Sequence, residues 1–261
     1  MSILDRILEW LRLRKPAPPF VPPGPVPPKS GTIADVLARM EAIGAEVGPD
    51  DGVGWFNRLY LEVTQRVAAF DRSGPQAAPG FLERLDVAFA DLYFAAYAAA
   101  GTAPALPPGF PYNAWEPLFE ERKKRDIAPI QFALAGMNAH INHDLALGIC
   151  DVCIERGVRP RRGSPEHRDY QAVNPLIADA EKAVKSWLMT GVLAELDRTF
   201  RPVDDIVAVW SVERARAAAW TRAEVLWHLR YERAVRDEYV EINDRAVELT
   251  SRALLTPVGL A

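Results

Sequence analysis

Several common chemistries are missing from this sequence. It has two cysteines, too few for a disulfide framework, so nothing calls for an oxidising compartment. It has no basic excess: Lys and Arg total 31 against 35 Asp and Glu, a formal net charge of −4. Phosphate neutralisation needs a basic face, so nucleic acid is not an expected partner. No GxGxxG, P-loop, GxSxG or HExxH pattern occurs. Dinucleotide enzymes, P-loop NTPases, α/β-hydrolases and the common zinc proteases are thereby set aside. No apolar run is long and uninterrupted enough for a transmembrane segment, and the first fourteen residues interleave Asp5, Arg6 and Glu9 with apolar side chains, unlike a signal peptide. Sustained alternation of period two is also lacking, which argues against strands.

What is present reads as helix. Ile3, Leu4, Ile7, Leu8 and Leu11 fall on one face of an amphipathic helix over residues 1–14. Such a helix docks on its own domain or mediates self-association. Arg12, Arg14 and Lys15 behind it also suit a peripheral membrane contact. Residues 15–31 follow as a proline-rich linker, with eight prolines between Pro16 and Pro28. From residue 32 to 261 the spacing predicts a single compact all-α domain of about eight or nine helices. Thr32 and Asp35 form a capping box before a stripe of Ile33, Val36, Leu37, Met40 and Ile43. Asp51 opens a second helix that Ser73-Gly74-Pro75 breaks, and a third runs from about Pro79 to Ala100. A short helix around Trp115–Arg125 precedes a long one from Pro129 to about Arg156, stopped by Gly157. Ser164-Pro165 starts another that Pro175 kinks. The last two span about Asp204–Arg230 and Glu232–Leu255.

Four segments carry a family resemblance: DGVGWFNRLYLEVTQRV (51–67), LDVAFADLY (85–93), PIQFALAGMNAHINHDL (129–145) and RARAAAWTRAEVLW (214–227). Together they resemble the mainly bacterial domain-of-unknown-function family 5995, from about Thr32 to Pro257. Gly136 to Asn142, with Asp144 just beyond, is the most specific part. The resemblance implies a soluble helical domain and no particular activity.

The long helix is apolar yet holds NAHINHD at its middle. At about 100° per residue, Gln131, Asn138 and Asn142 share one stripe. His140, Asp144 and Asp151 lie on roughly the opposite side, with His143 between. Each polar group on a buried helix must find a partner or cost on the order of 1–3 kcal/mol. Three readings follow. His140 and Asp144 can be a hydrogen-bonded pair that ties helices together. They can be metal ligands, projecting from one face as helical metal sites require, with His167 or an acidic residue from a distant helix as third ligand and a divalent transition metal as cofactor. Or Asp144 can orient His140 as a general base. Asn138 and Asn142 would then fix substrate.

Two further groups bear on a site. His167, Tyr170, Gln171 and Asn174 recur at helical spacing around the Pro175 kink. Glu213, Trp220, Glu224, Trp227 and Tyr231 share a helix face with Arg216 and His228 at its margins, so Glu213, Arg216, Trp220 and Glu224 are the expected substrate contacts. Cys150 and Cys153 form a CxxC without the context of a redox or zinc motif and are read as packing.

The expectation is therefore a cytoplasmic enzyme with His140, Asp144 and His167 in an inter-helix pocket, doing hydrolytic or lyase-type acid–base chemistry on a small organic substrate, metal-assisted or not. One rival is a non-catalytic binding protein that holds an apolar molecule or a partner helix among Trp55, Phe56, Tyr93, Trp220 and Trp227. The other is a metal-free biosynthetic cyclase.

Overall fold

The structure is a computed structural model, described here over residues 29–73, 75–101, 106, 112–179 and 211–257. The N-terminal amphipathic helix, nearly all of the proline-rich linker and residues 180–210 lie outside these, as do the calls made on them. Every regular element among the described residues is helical.

Helix α1 (Ile33–Val47) starts at the expected capping box: the Thr32 side chain accepts from Asp35 N while Asp35 accepts from Thr32 N. Helix α2 (Gly52–Ser73) begins under Asp51, whose Oδ1 accepts from Val53 N at 2.9 Å. Helix α3 (Phe81–Ala100) and the short α4 (Glu116–Glu121) follow. Pro129 occupies the first turn of α5 (Pro129–Ala139), where a missing N–H costs nothing. Helix α6 (Leu145–Glu155) continues the same rod. Helix α7 (Pro165–Ala172) is capped by Ser164, which accepts from His167 N. Helices α8 (Val212–His228) and α9 (Arg233–Leu254) complete the domain.

The α5–α6 rod is the axis around which the rest packs. A helix that is apolar on every side belongs in the interior, and every residue from Gln131 to Ala139 is buried. Helices α2 and α9 flank α5, whereas α3 and α8 flank α6; α1 lies across α2 and α3. Gly136 is what lets α2 come so close. A Cβ at this position would overlap the Phe56 side chain.

Between α5 and α6 the rod is not α-helical. His140–Asp144 form one π turn, and Leu145 N donates to His140 O, five residues back. Such single-turn insertions recur at functional sites. The extra residue changes which side chains point where, so the simple wheel of about 100° per residue fails from His140 onward.

One buried ion pair fixes the mouth of α2 against α4. Arg122 donates from Nε to both Asp51 oxygens at 2.9 Å, and its Nη2 is 2.9 Å from Oδ2. Its Nη1 donates to Gly101 O at 3.0 Å. Gly52 N returns a bond to Arg122 O at 2.7 Å. Removing one partner of such a pair strands a buried charge, at a cost of about 3–5 kcal/mol.

Candidate functional site

The π turn places three N–H donors around one buried carboxylate. His140 Nδ1 lies 3.0 Å from Asp144 Oδ2, and His143 Nδ1 lies 2.8 Å from Asp144 Oδ1. Trp115 Nε1 donates to Oδ2 at 3.1 Å. An i, i+4 pair such as His140 and Asp144 also meets in a regular α-helix, whereas neighbours such as His143 and Asp144 do not face each other there, so the contact with His143 is the one that departs from α geometry. Trp115 arrives through Asp244 on α9. That carboxylate accepts from Asn113 Nδ2 and Ala114 N, each at 2.7 Å, and so holds the segment leading into Trp115. His143 Nε2 is 3.6 Å from the same carboxylate, which leaves its ring between two aspartates.

The charge states follow from these contacts. Burial works to raise the Asp144 pKa, but the bonds from His140 and His143 outweigh it and hold the carboxyl below 3.8. Burial pulls the His143 ring down, but Asp144 and Asp244 prevail against it and against Arg222, and its pKa rises above 6.5. For His140 burial wins over Asp144, and its pKa falls below 6.5. At neutral pH His140 is therefore a neutral imidazole. Because Asp144 needs a donor, the proton sits on Nδ1 and Nε2 carries the lone pair.

That Nε2 is buried and has no hydrogen-bond partner. Around it stand five aromatic rings. Phe89 stacks on the imidazole with centroids 3.4 Å apart and planes 8° apart, and Tyr60 meets it at 4.4 Å. Phe56, Trp115 and Tyr93 complete the ring at 5.7, 5.8 and 6.2 Å. His140 also borders a cavity between the rod, α2, α3, α7 and α8, in which the volume open to water centres is about 80 Å³. Its wall is mostly aliphatic and aromatic; the polar exceptions include Tyr60, Asp86, Tyr170 and Arg216. Burial raises the Tyr60 pKa well above 10, so its phenol stays protonated, and its hydroxyl makes no well-formed hydrogen bond.

The other expected residues are distributed differently. Asn138 and Asn142 turn away from the cavity. Asn138 Nδ2 donates to Val247 O and Ser251 Oγ on α9, and its Oδ1 accepts from Asn142 Nδ2. Gln131 clamps the end of α9 through Leu254 O and Thr256 O. This amide stripe forms a seam between the rod and α9. His167 does not join His140. Its Nδ1 accepts from Gly163 N at 3.1 Å and its ring lies on Trp220, because the Ser164 cap starts α7 there. The trio of His140, Asp144 and His167 is thus not assembled, and both Asp144 oxygens are already taken by N–H donors. Among the described residues no group of three or more His, Cys, Asp or Glu side chains is arranged to hold a metal ion.

On α8, Glu213 is exposed, and Glu224 accepts from Arg162 N and Trp220 Nε1. Trp220 is buried against Tyr170 and Phe81. Arg216, expected at the margin of this face, is instead buried and borders the cavity. Cys150 and Cys153 are free, buried thiols whose pKa is pushed up to about 12 by burial, so they are packing groups. Spacing singled out none of Tyr60, Phe89, Trp115 and His143 as site residues. The first two are core residues of α2 and α3, and only a chain of long-range contacts brings in Trp115.

Residues 33–257 match a family model described as Family of unknown function (DUF5995). No curated protein and no solved structure matches the chain.

Proposed function

The chain belongs to the family of unknown function DUF5995, and we propose that it is an acid–base enzyme, hydrolytic or lyase-type, that acts on a small organic substrate in the cavity beside His140. One observation carries this reading: the Nε2 of a buried, neutral histidine is left without a partner at a cavity wall. A buried polar atom without a partner costs on the order of 1–3 kcal/mol. Packing alone gives no return for that cost, whereas a substrate proton does.

The chemistry follows from the fixed tautomer. Nε2 takes a proton from the substrate or from a water held against it, and the ring becomes an imidazolium. Asp144 stabilises that cation through the Nδ1–H bond and remains ionised, because Trp115 and His143 keep donating to it. The proton then returns from Nε2 to the leaving group. A base is most useful with a pKa near the working pH, and the lowered His140 value keeps the lone pair free at neutrality. The Tyr60 phenol, protonated and on the same wall, supplies a hydrogen bond to an oxygen that gains charge. Two free thiols are in keeping with a reducing, cytoplasmic setting, and bacterial origin rests on the family likeness alone. Among the described residues no helix is long and apolar enough to cross a membrane.

The test is a panel of small aryl esters and β-elimination substrates, assayed with wild-type protein and with His140→Gln. The expected result is turnover that falls as pH drops through an ionisation below 6.5 and disappears in His140→Gln while the fold persists. Stoichiometric binding of such molecules with no turnover, equal in both proteins, would favour the second reading: a binding protein for apolar small molecules, supported by the largely apolar cavity wall.

A further inference from the structure

Among the described residues Arg216 has no counter-ion. The residue is buried, 7% exposed, yet its described partners are all neutral. Nε donates to Asn174 Oδ1 at 2.8 Å and Nη2 to Tyr170 O at 2.7 Å. The group lies 4.0 Å over the Tyr170 ring. Among the described residues no carboxylate pairs with it and none accepts from Nη1. Asp86, the carboxylate on the same cavity wall, is not bonded to it.

An arginine side chain stays charged in proteins, and a buried charge is costly unless it is paired. Elsewhere the protein observes this rule: buried Arg122 is met by Asp51 with a full fork of bonds, and buried Arg236 is 3.7 Å from Asp151. Arg216 alone of these three faces a cavity with an unmatched charge. The groups that hold it, the Tyr170 ring and two oxygens, fix the plane of the guanidinium. A guanidinium held in a fixed plane, with Nη1 left over, can still give a carboxylate a charge-assisted hydrogen bond.

We infer that the cavity takes a small amphiphilic carboxylate, with its anionic head on Arg216 and its apolar body among the aliphatic and aromatic side chains next to His140. This specifies the substrate class of the site proposed above. It rests on the cavity being a ligand site but not on turnover. The wall supports the division of the ligand into two parts. His140 touches Phe56, Tyr60 and Phe89, whereas Arg216 touches Tyr170 and Asn174, so base and cation stand on separate parts of one wall. The volume open to water centres, about 80 Å³, holds about half a dozen water-sized groups. That suits an acyl or arylalkyl chain of modest length.

The experiment is calorimetric titration with octanoate and with 1-octanol, the neutral analogue of the same length. Wild-type protein is expected to bind one octanoate per chain at least tenfold more tightly than octanol. Arg216→Gln is expected to bring the two within twofold, and Arg216→Lys to keep part of the preference. Equal affinity of wild-type protein for the two ligands, no binding of either, or a preference that survives in Arg216→Gln overturns the inference. The wild-type comparison decides even if Arg216→Gln does not fold. Turnover of neutral esters without an octanoate preference would remove this inference and leave the acid–base proposal standing. Octanoate binding without turnover would do the reverse.

Discussion

Trp115 Nε1 and His140 Nδ1 donate to the same oxygen of Asp144, from elements that meet only in the folded domain. The indole does more than fill space beside the imidazole. It keeps Asp144 an acceptor, and an ionised Asp144 keeps the His140 proton on Nδ1.

Removing that acceptor has two separable effects. Asp144→Ala leaves three buried N–H groups unmatched and is expected to destabilise the protein by about 3–5 kcal/mol, read from the urea midpoint. Asp144→Asn keeps the shape but offers only one acceptor oxygen. The expected result is a His140 ring whose proton moves to Nε2, visible in ¹⁵N–¹H correlation spectra of the imidazole, with acid–base activity lost.

The two histidines pull the stability curve in opposite directions. The His140 pKa is lowered in the fold, so its contribution is complete above 6.5 and is lost as pH falls through the folded value. The His143 pKa is raised, so its contribution is complete below 6.5 and is lost as pH climbs through the folded value. Asp144 adds a further loss only below 3.8. Unfolding free energy measured against pH should therefore peak near 6.5. His140→Gln should flatten the acid limb between 6.5 and 3.8, and His143→Gln the alkaline limb.

Gly136→Ala tests the close contact between α2 and the rod. The added methyl overlaps Phe56, which cannot retreat because Tyr93 and Trp115 pack on it at centroid distances of 5.1 and 5.3 Å. A cost of about 1–3 kcal/mol is expected from overpacking. Phe56 also lines the cavity, so octanoate affinity should fall with stability, unlike the outcome for a remote core change.

Asn138→Ala separates a structural amide from a substrate contact. Its two bonds to α9 and its bond with Asn142 should make the loss about 1–3 kcal/mol, from three bonds lost together and an Asn142 amide left without this acceptor. Ligand affinity at the cavity should be unchanged within twofold. A selective loss of affinity at full stability would place Asn138 back in the site.

Much of the helical layout was legible because it is written locally. The Thr32–Asp35 cap, Pro129 in the first turn of α5, Ser164 ahead of α7 and Gly157 behind α6 all lie where their chemistry predicts. The i, i+4 pairing of His140 with Asp144 was legible for the same reason. What a regular wheel cannot express is a change of pitch. The π turn brought His143 onto Asp144, though the spacing set it between two stripes. Arg216 was misplaced for another reason. Its surroundings come from Tyr170 and Asn174, more than forty positions earlier in the chain, and no local pattern announces them. His167, the expected third member, lies beyond the rod in the chain, and local spacing cannot place it relative to His140; its ring packs on Trp220.

The single wide turn at His140–Asp144 holds one residue more than an α turn would. Deleting that residue would let an ordinary helix run through with everything from Leu145 onward still in phase, because the wider turn absorbs the rotation that the extra residue would otherwise add. The apolar side chains of α6 would keep their places against α3 and α8, while the contacts gathered on Asp144 would lose their spacing. In this molecule the buried carboxylate cluster can be disturbed without shifting the second half of the core.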